Sequence, residues 1–328
     1  MMTWIKKNEL ISVIVPNYNG QKTLELCLDA IFKQDYSNFE TIFIDDMSSD
    51  NSVEIAKNYL CKIFSTEKNG GPAVARNLGA RHAEGSILFF VDSDVALMPD
   101  ALSVAIKKFR QDSQLGAVSG IYDKVPLIRD SLVEEYRALQ DHYWKTSSTG
   151  YITTLSVADG AIKKDVFFEI GGFDQKLRHS EDIDFGQRIS YKYKILASNE
   201  IVGKHDCDDT LRKILRTFYV RAVERVPLFI KRSDRFFKGY GTLNRAVGVV
   251  CVAACFFTLI LGIVDIHLLV IPLLLFIAFL LSDIGQYLFV LRERGLPFLL
   301  YFICIYYLVN MSIFLGVTRG FLAKVVKK

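Results

Sequence analysis

Short hydrophobic runs alternate with helical repeats along the first 205 residues of the chain. Residues 10–16 form a β-branched run, and residues 20–33 repeat apolar side chains at the spacing of one helix face. The alternation continues with strands predicted at 39–45, 62–65, 87–91, 116–122 and 193–197 and helices at 51–60, 72–83, 99–110 and 181–191. This order of elements predicts an α/β fold built on a mainly parallel sheet.

The pattern is unclear between residues 125 and 149. This segment carries Tyr136, Tyr143 and Trp144 without a regular spacing of apolar positions. Large aromatic side chains suit the cover of a cleft and the surface of a membrane equally well. The sequence leaves both interpretations open.

Three long apolar stretches follow, at residues 246–264, 268–291 and 296–317. Each is long enough to cross the hydrocarbon core of a bilayer. We therefore expect a membrane domain over 246–318, followed by a basic tail over 319–328. The Lys and Arg residues before the first stretch place that end in the cytosol, but three full crossings would export the basic tail. Whether the third stretch spans the membrane or is re-entrant stays open.

Residues 206–245 form a basic segment ahead of these stretches. Within it, residues 209–232 mix apolar and basic side chains at helical spacing, and we expect an interruption near Pro227. Such a helix is typical of a membrane surface. Packing of the same helix against the globular region is the alternative.

Composition and charge support this division. Hydrophobic residues make up 51% of the chain and the mean hydropathy is +0.23, whereas residues 246–318 contain only five charged side chains. Residues 1–203 carry 23 basic and 28 acidic side chains, while residues 204–245 carry 11 and 5. The acidic globular region argues against a nucleic-acid partner, and the basic segment favours contact with the anionic lipids of a cytosolic leaflet.

The cysteines and the N-terminus indicate a cytosolic location for the globular region. The six cysteines include no Cys-Xaa-Xaa-Cys pair, which is typical of thiols in a reducing compartment. The first ten residues lack the apolar core of a signal peptide. We expect an integral protein of the plasma or inner membrane whose globular domain, residues 1–205, lies in the cytosol.

Polar side chains follow several predicted strands, at the edge where open α/β sheets bind their ligands. The turn at residues 16–20 follows the first strand, Asp45 and Asp46 end the second, and Asp92 and Asp94 follow the strand at 87–91. Two carboxylates on a short loop suit Mg²⁺ or Mn²⁺ together with phosphate oxygens. The run that begins at Asp45 suits a helix N-cap equally well.

Six ordered motifs resemble those of the family 2 glycosyltransferases and together cover residues 10–205. They are Pro16-Asn17-Tyr18-Asn19, Asp45-Asp46 with Ser48, Asn69-Gly70 to Ala75-Arg76-Asn77 with Gly79, Asp92-Ser93-Asp94, Gly171-Gly172-Phe173-Asp174 and Glu181-Asp182. The resemblance implies the GT-A fold, a mixed and mainly parallel sheet with flanking helices, here followed by transmembrane helices. It also implies a UDP- or GDP-linked sugar donor and Mg²⁺ or Mn²⁺ as cofactor.

The resemblance further implies roles for single residues. Asp182 would be the catalytic base and Asp94 a metal ligand, with Asp92 and His205 as further candidate ligands. Residues that would contact the donor are Pro16, Asn17, Tyr18, Asn19, Asp46, Arg76, Asp92 and Ser93. Candidates for the acceptor side are Glu181, Asp159 and Gly160, and candidates for a phosphate contact are Arg178 and His179. A helix N-terminus at Glu181, a turn at Asp159 and a surface histidine at His205 are the alternatives.

The same family implies a single displacement that inverts the anomeric configuration. Members that extrude polysaccharide carry Gln-Xaa-Xaa-Arg-Trp after the base, whereas Gln187-Arg188 is followed here by Ile189-Ser190-Tyr191. We therefore expect one transfer to a lipid-linked or saccharide acceptor, such as a polyprenyl phosphate, at the cytosolic membrane face in cell-envelope polysaccharide or glycolipid synthesis. A processive polysaccharide synthase and a non-catalytic nucleotide-sugar-binding scaffold are the alternatives.

Overall fold

The computed structural model of the protein describes residues 9–236 and 243–325. The chain divides into two compact units, one formed by residues 1–129 and 144–207 and the other by residues 130–143 and 208–328. The basic segment predicted at 206–245 and the tail predicted at 319–328 both extend beyond the described residues, at 237–242 and 326–328.

The first unit is built on a mixed sheet of nine strands within the described part of the chain. The strands are β1 (Ile11–Asn17), β2 (Phe39–Asp45), β3 (Cys61–Ser65), β4 (Ile87–Val91), β5 (Val95–Leu97), β6 (Leu115–Tyr122), β7 (Gly150–Ile152), β8 (Asp159–Lys163) and β9 (Lys194–His205). Their order is β3-β2-β1-β4-β8-β6-β9-β5, with β7 paired to β9. The pairs β1–β2, β1–β4, β2–β3 and β6–β9 are parallel. The expected mixed sheet with a parallel region is confirmed.

The helices are numbered in chain order across both units. They are α1 (Leu24–Phe32), α2 (Ser52–Ala56), α3 (Pro72–His82), α4 (Ala101–Gln111), α5 (Leu132–Thr146), α6 (Lys164–Glu169), α7 (Glu181–Ile189), α8 (Leu211–Lys231), α9 (Ser233–Phe236), α10 (Leu243–Thr258), α11 (Leu261–Val264), α12 (Val270–Ser282) and α13 (Ile284–Val325). The core of the first unit joins β1 and β4, which are buried along their whole length, to the apolar faces of α1 and α4. Continuous apolar runs are what strands covered on both faces require.

The segment without a clear pattern, 125–149, contains helix α5. Its residues up to Tyr143 belong to the second unit. There the ring of Tyr136 lies 4.6 Å from that of Phe302, the Arg137 guanidinium lies 4.9 Å from the centre of the Phe218 ring, and Glu135 forms an ion pair with Arg294. Up to Tyr143, helix α5 therefore packs against helices of its own unit, and both interpretations of the segment stay predictions.

Two helices of the second unit are long and apolar enough to cross a membrane, Leu243–Val264 and Ile284–Ala323, and a shorter apolar helix covers Ile266–Ser282. The stretch predicted at 268–291 is therefore wrong as one span, because α12 ends at Ser282 and the backbone of Asp283 leaves the helical region. Within α13 the chain bends at Gly295, where φ is 78°. Residues 296–317 are continuous helix and show no chain reversal of the kind that a re-entrant segment needs.

The interruption expected near Pro227 is also wrong, because α8 continues to Lys231. The proline removes the hydrogen bond to the Val223 carbonyl, yet the helix continues for one further turn. Helix α13 packs along this helix through small residues. The Ser312 hydroxyl donates to the Leu215 carbonyl at 2.7 Å, and a Cβ atom added at Gly316 would lie 2.5 Å from the Tyr219 carbonyl oxygen. Small residues that recur every four positions let two helix backbones approach closely.

Candidate active site

A cleft of about 290 Å³ lies at the carboxyl ends of β1, β2 and β4. It is lined by Pro16, Asn17, Tyr18, Asp46, Asn69, Gly71, Pro72, Ala75, Arg76, Asp92, Ser93, Asp94, Arg178 and His179. Seven of the eight residues expected to contact a donor are therefore brought together, and Arg178 and His179 join them. This is the sheet edge at which open α/β folds bind ligands.

Asn19, the eighth of these residues, joins the loops behind the cleft. Its backbone N–H donates to the Ser48 hydroxyl at 2.9 Å, and its side-chain oxygen accepts the N–H of Ser49 at 2.8 Å. Asn19 has φ of 53° and Met47 has φ of 66°, a left-handed conformation that non-glycine residues adopt rarely. Backbone strain of this kind is held in place by surrounding contacts. The hydrogen bonds through Ser48 supply them.

Asp46 organises the glycine turn that opens helix α3. Its carboxylate accepts the Thr66 hydroxyl at 2.7 Å and the backbone N–H groups of Gly70 and Gly71 at 2.9 and 2.7 Å. Gly71 has φ of 85°, which favours glycine. The side chain is buried and still lines the cleft. Asp46 thus fixes the shape of this wall, and a contact with the donor base is a proposal that its position permits.

Arg76 connects two acidic motifs that lie far apart in the sequence. Its guanidinium donates to Glu181 Oε1 at 2.5 Å and to Asp92 Oδ1 at 2.6 Å, and the Arg76 side chain is only 5% exposed. Burial alone would lower the pKa of Arg76, but the carboxylates of Asp92 and Glu181 outweigh burial and raise it. Burial raises the pKa of Glu181 to about 7, although Arg76 opposes the shift.

In the loop after β4, Asp94 is the candidate ligand for a cation. Its Oδ1 is shielded from solvent and has no hydrogen-bond partner within residues 9–236 and 243–325, and its Oδ2 lies 3.5 Å from His205 Nε2. The pairing of β5 with β9, which sets Val95 opposite His205, brings the two side chains together. Carboxylate oxygens and an imidazole nitrogen suit Mn²⁺, and an unpartnered buried oxygen favours a cation. These residues therefore fit a divalent metal ion, with Asp92 held beside them by Arg76.

Asp182 lies in the first turn of helix α7, next to Glu181, and is half-buried. Its Oδ1 accepts the N–H of Ile183 at 2.7 Å. Although Asp182 does not line the cleft itself, its charge acts on both Arg76 and Glu181. Arg188 holds the helix by donating to the carbonyls of Ile170 and Gly172, at 2.7 Å each.

The Gly171-Gly172-Phe173-Asp174 motif joins this helix to α3. The Asn77 side chain donates to the Phe173 carbonyl and accepts the Phe173 N–H, both at 2.9 Å. Gly171 and Gly172 have φ of 89° and 69°, and a Cβ atom on Gly172 would lie 2.9 Å from Asn77 Oδ1. The motif therefore shapes the loop that leads to Glu181 and Asp182.

Asp159 and Gly160 lie inside the domain, which corrects the expectation that they line the acceptor side. Asp159 is fully buried and forms an ion pair with Lys145, 3.1 Å from Nζ to Oδ1. A Cβ atom on Gly160 would lie 2.8 Å from the Ser156 carbonyl oxygen, so glycine permits close strand packing there. Lys145 was not singled out by sequence, because nothing in its spacing connects it to Asp159.

Comparison with known proteins agrees with this geometry. Residues 12–164 match the family model described as glycosyl transferase family 2. A glycosyltransferase of Haemophilus influenzae is 31% identical over 183 residues, 54% of this chain and 60% of the relative. A poly-β-1,6-N-acetyl-D-glucosamine synthase of Staphylococcus epidermidis is 31% identical over 196 residues, 57% of this chain and 47% of the relative. The chain thus spans about half to three fifths of the lengths of these relatives.

Among solved structures, a mannosyltransferase of Pyrobaculum calidifontis in complex with GDP-mannose and Mn²⁺ superposes with a TM-score of 0.60 at 18% identity, over 96% of this chain and 87% of that one. At this identity the likeness concerns the fold, and it supports the GT-A arrangement of the sheet. In its motifs, its sheet and the match over residues 12–164, the chain is similar to glycosyl transferase family 2.

Proposed function

We propose that this protein is a metal-dependent, inverting glycosyltransferase that moves a sugar from a nucleotide-sugar donor to a lipid-linked acceptor. The observation that carries the proposal is the Arg76 bridge, which unites the Asp92–Asp94 loop with the Glu181–Asp182 pair beside one cleft. The bridge joins candidate donor residues and a candidate base in one charged cluster. Such a cluster is typical of group-transfer sites.

Charge supports an anionic donor bound with a cation. Three carboxylates line the cleft, and Arg76 is engaged by Asp92 and Glu181. Arg178 donates to the side-chain and backbone oxygens of Asn69, at 3.3 and 3.1 Å, and has no carboxylate partner among the described residues. We propose that Arg178, with its uncompensated charge, faces the diphosphate. The fold neighbour of Pyrobaculum calidifontis was solved with GDP-mannose and Mn²⁺, a donor and ion of this class.

In the proposed reaction, Asp182 takes the proton of an acceptor hydroxyl as the acceptor oxygen attacks the anomeric carbon. The bond from that carbon to the diphosphate breaks, and the configuration inverts. A divalent ion held by Asp94, with Asp92 and His205 as nearby candidate ligands, would supply Lewis-acid stabilisation of the leaving diphosphate. Glu181 does not take part in proton transfer, because Arg76 holds its carboxylate. It fixes the start of α7 and thereby the position of Asp182.

A membrane location supports a lipid-linked acceptor. The second unit contains two helices that can cross a bilayer by length and composition, and the basic helix α8 belongs to the same unit. We propose that these helices anchor the enzyme in the plasma or inner membrane with the catalytic residues in the cytosol. A polyprenyl phosphate or a lipid-linked saccharide would then be concentrated at the same surface.

Processive synthesis is the second candidate, since the relative from Staphylococcus epidermidis is a polysaccharide synthase. Two features favour a single transfer. The tryptophan of the extruding members is absent after Gln187-Arg188, and Arg188 is engaged by Asp184 at 2.8 Å and by two carbonyl groups. Arg188 therefore supports the fold of α7 here.

The test is to incubate the purified full chain with a panel of UDP- and GDP-sugars, Mn²⁺ and either polyprenyl phosphate or a bacterial lipid extract, and to identify products by mass spectrometry. We expect one added sugar per lipid. A polymer would establish the processive alternative. Saturable nucleotide-sugar binding without transfer to any acceptor would favour the scaffold, and Asp182→Asn serves as the inactive control.

A further inference from the structure

The proposed reaction does not use the buried pair formed by Lys145 and Asp159. Lys145 Nζ lies 3.1 and 3.3 Å from the two oxygens of Asp159 and 3.0 Å from the Ser156 hydroxyl. Asp159 is fully buried, and the Lys145 side chain is 8% exposed. A buried ion pair contributes little to stability compared with apolar side chains of similar volume.

The Lys145 ammonium lies against an aromatic ring. Its nitrogen is 3.6 Å from the centre of the Tyr122 ring, well within the range of a cation–π interaction. The same ring stacks on His205, with 4.6 Å between ring centres and 20° between their planes. A chain of contacts thus runs from Asp159 through Lys145 and Tyr122 to His205.

His205 needs such a contact because the neighbouring strands fix only its backbone. Strand pairing sets His205 opposite Val95 and Tyr122 opposite Gly203. At the edges of the imidazole, Nδ1 lies 3.4 Å from Cys207 Sγ and Nε2 lies 3.5 Å from Asp94 Oδ2. These edge contacts hold only when the ring lies in one plane, and the stacked Tyr122 ring sets that plane.

We infer that Tyr122 and Lys145 are positioning residues of the candidate metal site, holding the His205 imidazole in the plane that presents Nε2 to Asp94. The inference rests on the proposed function for the presence of a metal ion. Groups outside the ligand shell that orient a ligating histidine are a general feature of protein metal sites. Here an aromatic ring and a buried ammonium take that part.

The orientation of His205 can be tested without metal or substrate. The full chain in detergent, labelled with ¹³C at the Cε1 atoms of its five histidines, should give an upfield-shifted His205 proton because the imidazole stacks on the Tyr122 ring. Tyr122→Leu should remove this shift, and Tyr122→Phe, which keeps the ring, should retain it. His82, stacked on Phe64 at 3.8 Å, should be unchanged in both variants and reports an intact fold.

Metal binding provides the second measurement. Free Mn²⁺ is measured by electron paramagnetic resonance in the presence of UDP or GDP. Tyr122→Leu should weaken Mn²⁺ binding by about tenfold, the scale of losses for outer-shell residues, and Tyr122→Phe should bind as the wild type does. The double variant Lys145→Met/Asp159→Asn removes both buried charges together, so that neither is left unpaired. It should change the chemical shift of the His205 proton and the affinity for Mn²⁺ in the same direction as Tyr122→Leu does.

The outcomes separate this inference from the proposed function. Wild-type Mn²⁺ affinity in Tyr122→Leu, or an unchanged His205 resonance in that variant, would overturn the positioning role. Metal-independent sugar transfer by the wild type would instead contradict the metal part of the proposed function, while the resonance of His205 would still decide whether Tyr122 orients the ring.

Discussion

The two acidic pairs of the candidate active site share one arginine and differ in what each member is left to do. In the loop after β4, Asp92 is bound by Arg76, while Oδ1 of Asp94 has no hydrogen-bond partner in the part of the chain that the structure describes. At the start of α7, Glu181 is bound by Arg76 while Asp182 is half-buried beside it. Each pair thus combines a carboxylate bound by Arg76 with one that we propose for chemistry. Neighbouring carboxylates can have separate roles because one cation binds only one member of each pair.

The largest effect should come from Asp182, the residue that we propose for proton transfer. Asp182→Asn should lower kcat by roughly 10²–10⁴, the usual range for loss of a general base, and leave the Kd for the nucleotide unchanged. Turnover and nucleotide binding are measured side by side. Asp165→Asn, which alters an exposed carboxylate in the first turn of α6, is the matched control. Near-normal turnover in Asp182→Asn would assign the base elsewhere.

Removing the shared cation should break both pairs at once. Arg76→Met leaves the buried carboxylate of Glu181 and the half-buried carboxylate of Asp92 without their counter-charge, and we expect a loss of about 3–5 kcal/mol in the free energy of unfolding. Denaturant titration followed by tryptophan fluorescence measures this loss. Arg81→Met, an exposed arginine on the same helix, should have little effect. Equal stability of the two variants would show that the bridge is not structural.

Asp94→Asn should act on metal binding and leave the fold intact. We expect Mn²⁺ affinity to fall by at least about a hundredfold, the upper end of losses known for outer-shell partners, because a ligand is removed directly. Calorimetric titration with Mn²⁺ in the presence of UDP or GDP is the measurement. Asp100→Asn, at an exposed helix start nearby, should bind Mn²⁺ normally. Full transfer activity of the wild type in the presence of a chelator would show that transfer does not need the metal ion that we assign to Asp94.

The smallest effect concerns Glu181 and pH. Burial raises the pKa of Glu181 from its ordinary value of 4.5 to about 7, so the folded chain holds a proton there more tightly than the unfolded chain does. This contribution to stability is present below pH 4.5 and is lost as pH rises to about 7. The melting temperature of the wild type should therefore fall relative to that of Glu181→Gln between pH 5 and 7. A constant difference across this range would contradict the raised pKa.

Local patterns were sufficient to predict the parts of the fold in which each strand is buried along its length. The runs at β1 and β4 and the acidic loop after β4 followed from apolar periodicity and from the sheet edge at which such loops lie. The bridge between Arg76 and Glu181 spans 105 residues of sequence, and no local pattern encodes a contact of that separation. The same holds for Lys145 and Asp159, which sequence reasoning divided between an unassigned segment and the acceptor side.

The second unit was harder to predict, because an apolar stretch shows how long a helix could be but not where the helix ends or which way it runs. The apolar run at 268–291 contains parts of two helices, because α12 ends just before Asp283. Helix α8 continues past Pro227 beside α13, and a proline in the sequence does not reveal this neighbouring helix.

The contact between α8 and α13 has a consequence for the topology of the chain. Leu215, Tyr219 and Val223 meet Ser312, Gly316 and Gly320 in the same order, so the two helices run parallel. Helix α8 carries too many charged residues to cross a bilayer, and α13 ends beside it. We therefore expect an even number of crossings between them, with both ends of the membrane unit on one side. A fluorescent protein fused after Lys328 should then remain inaccessible to external protease in intact cells.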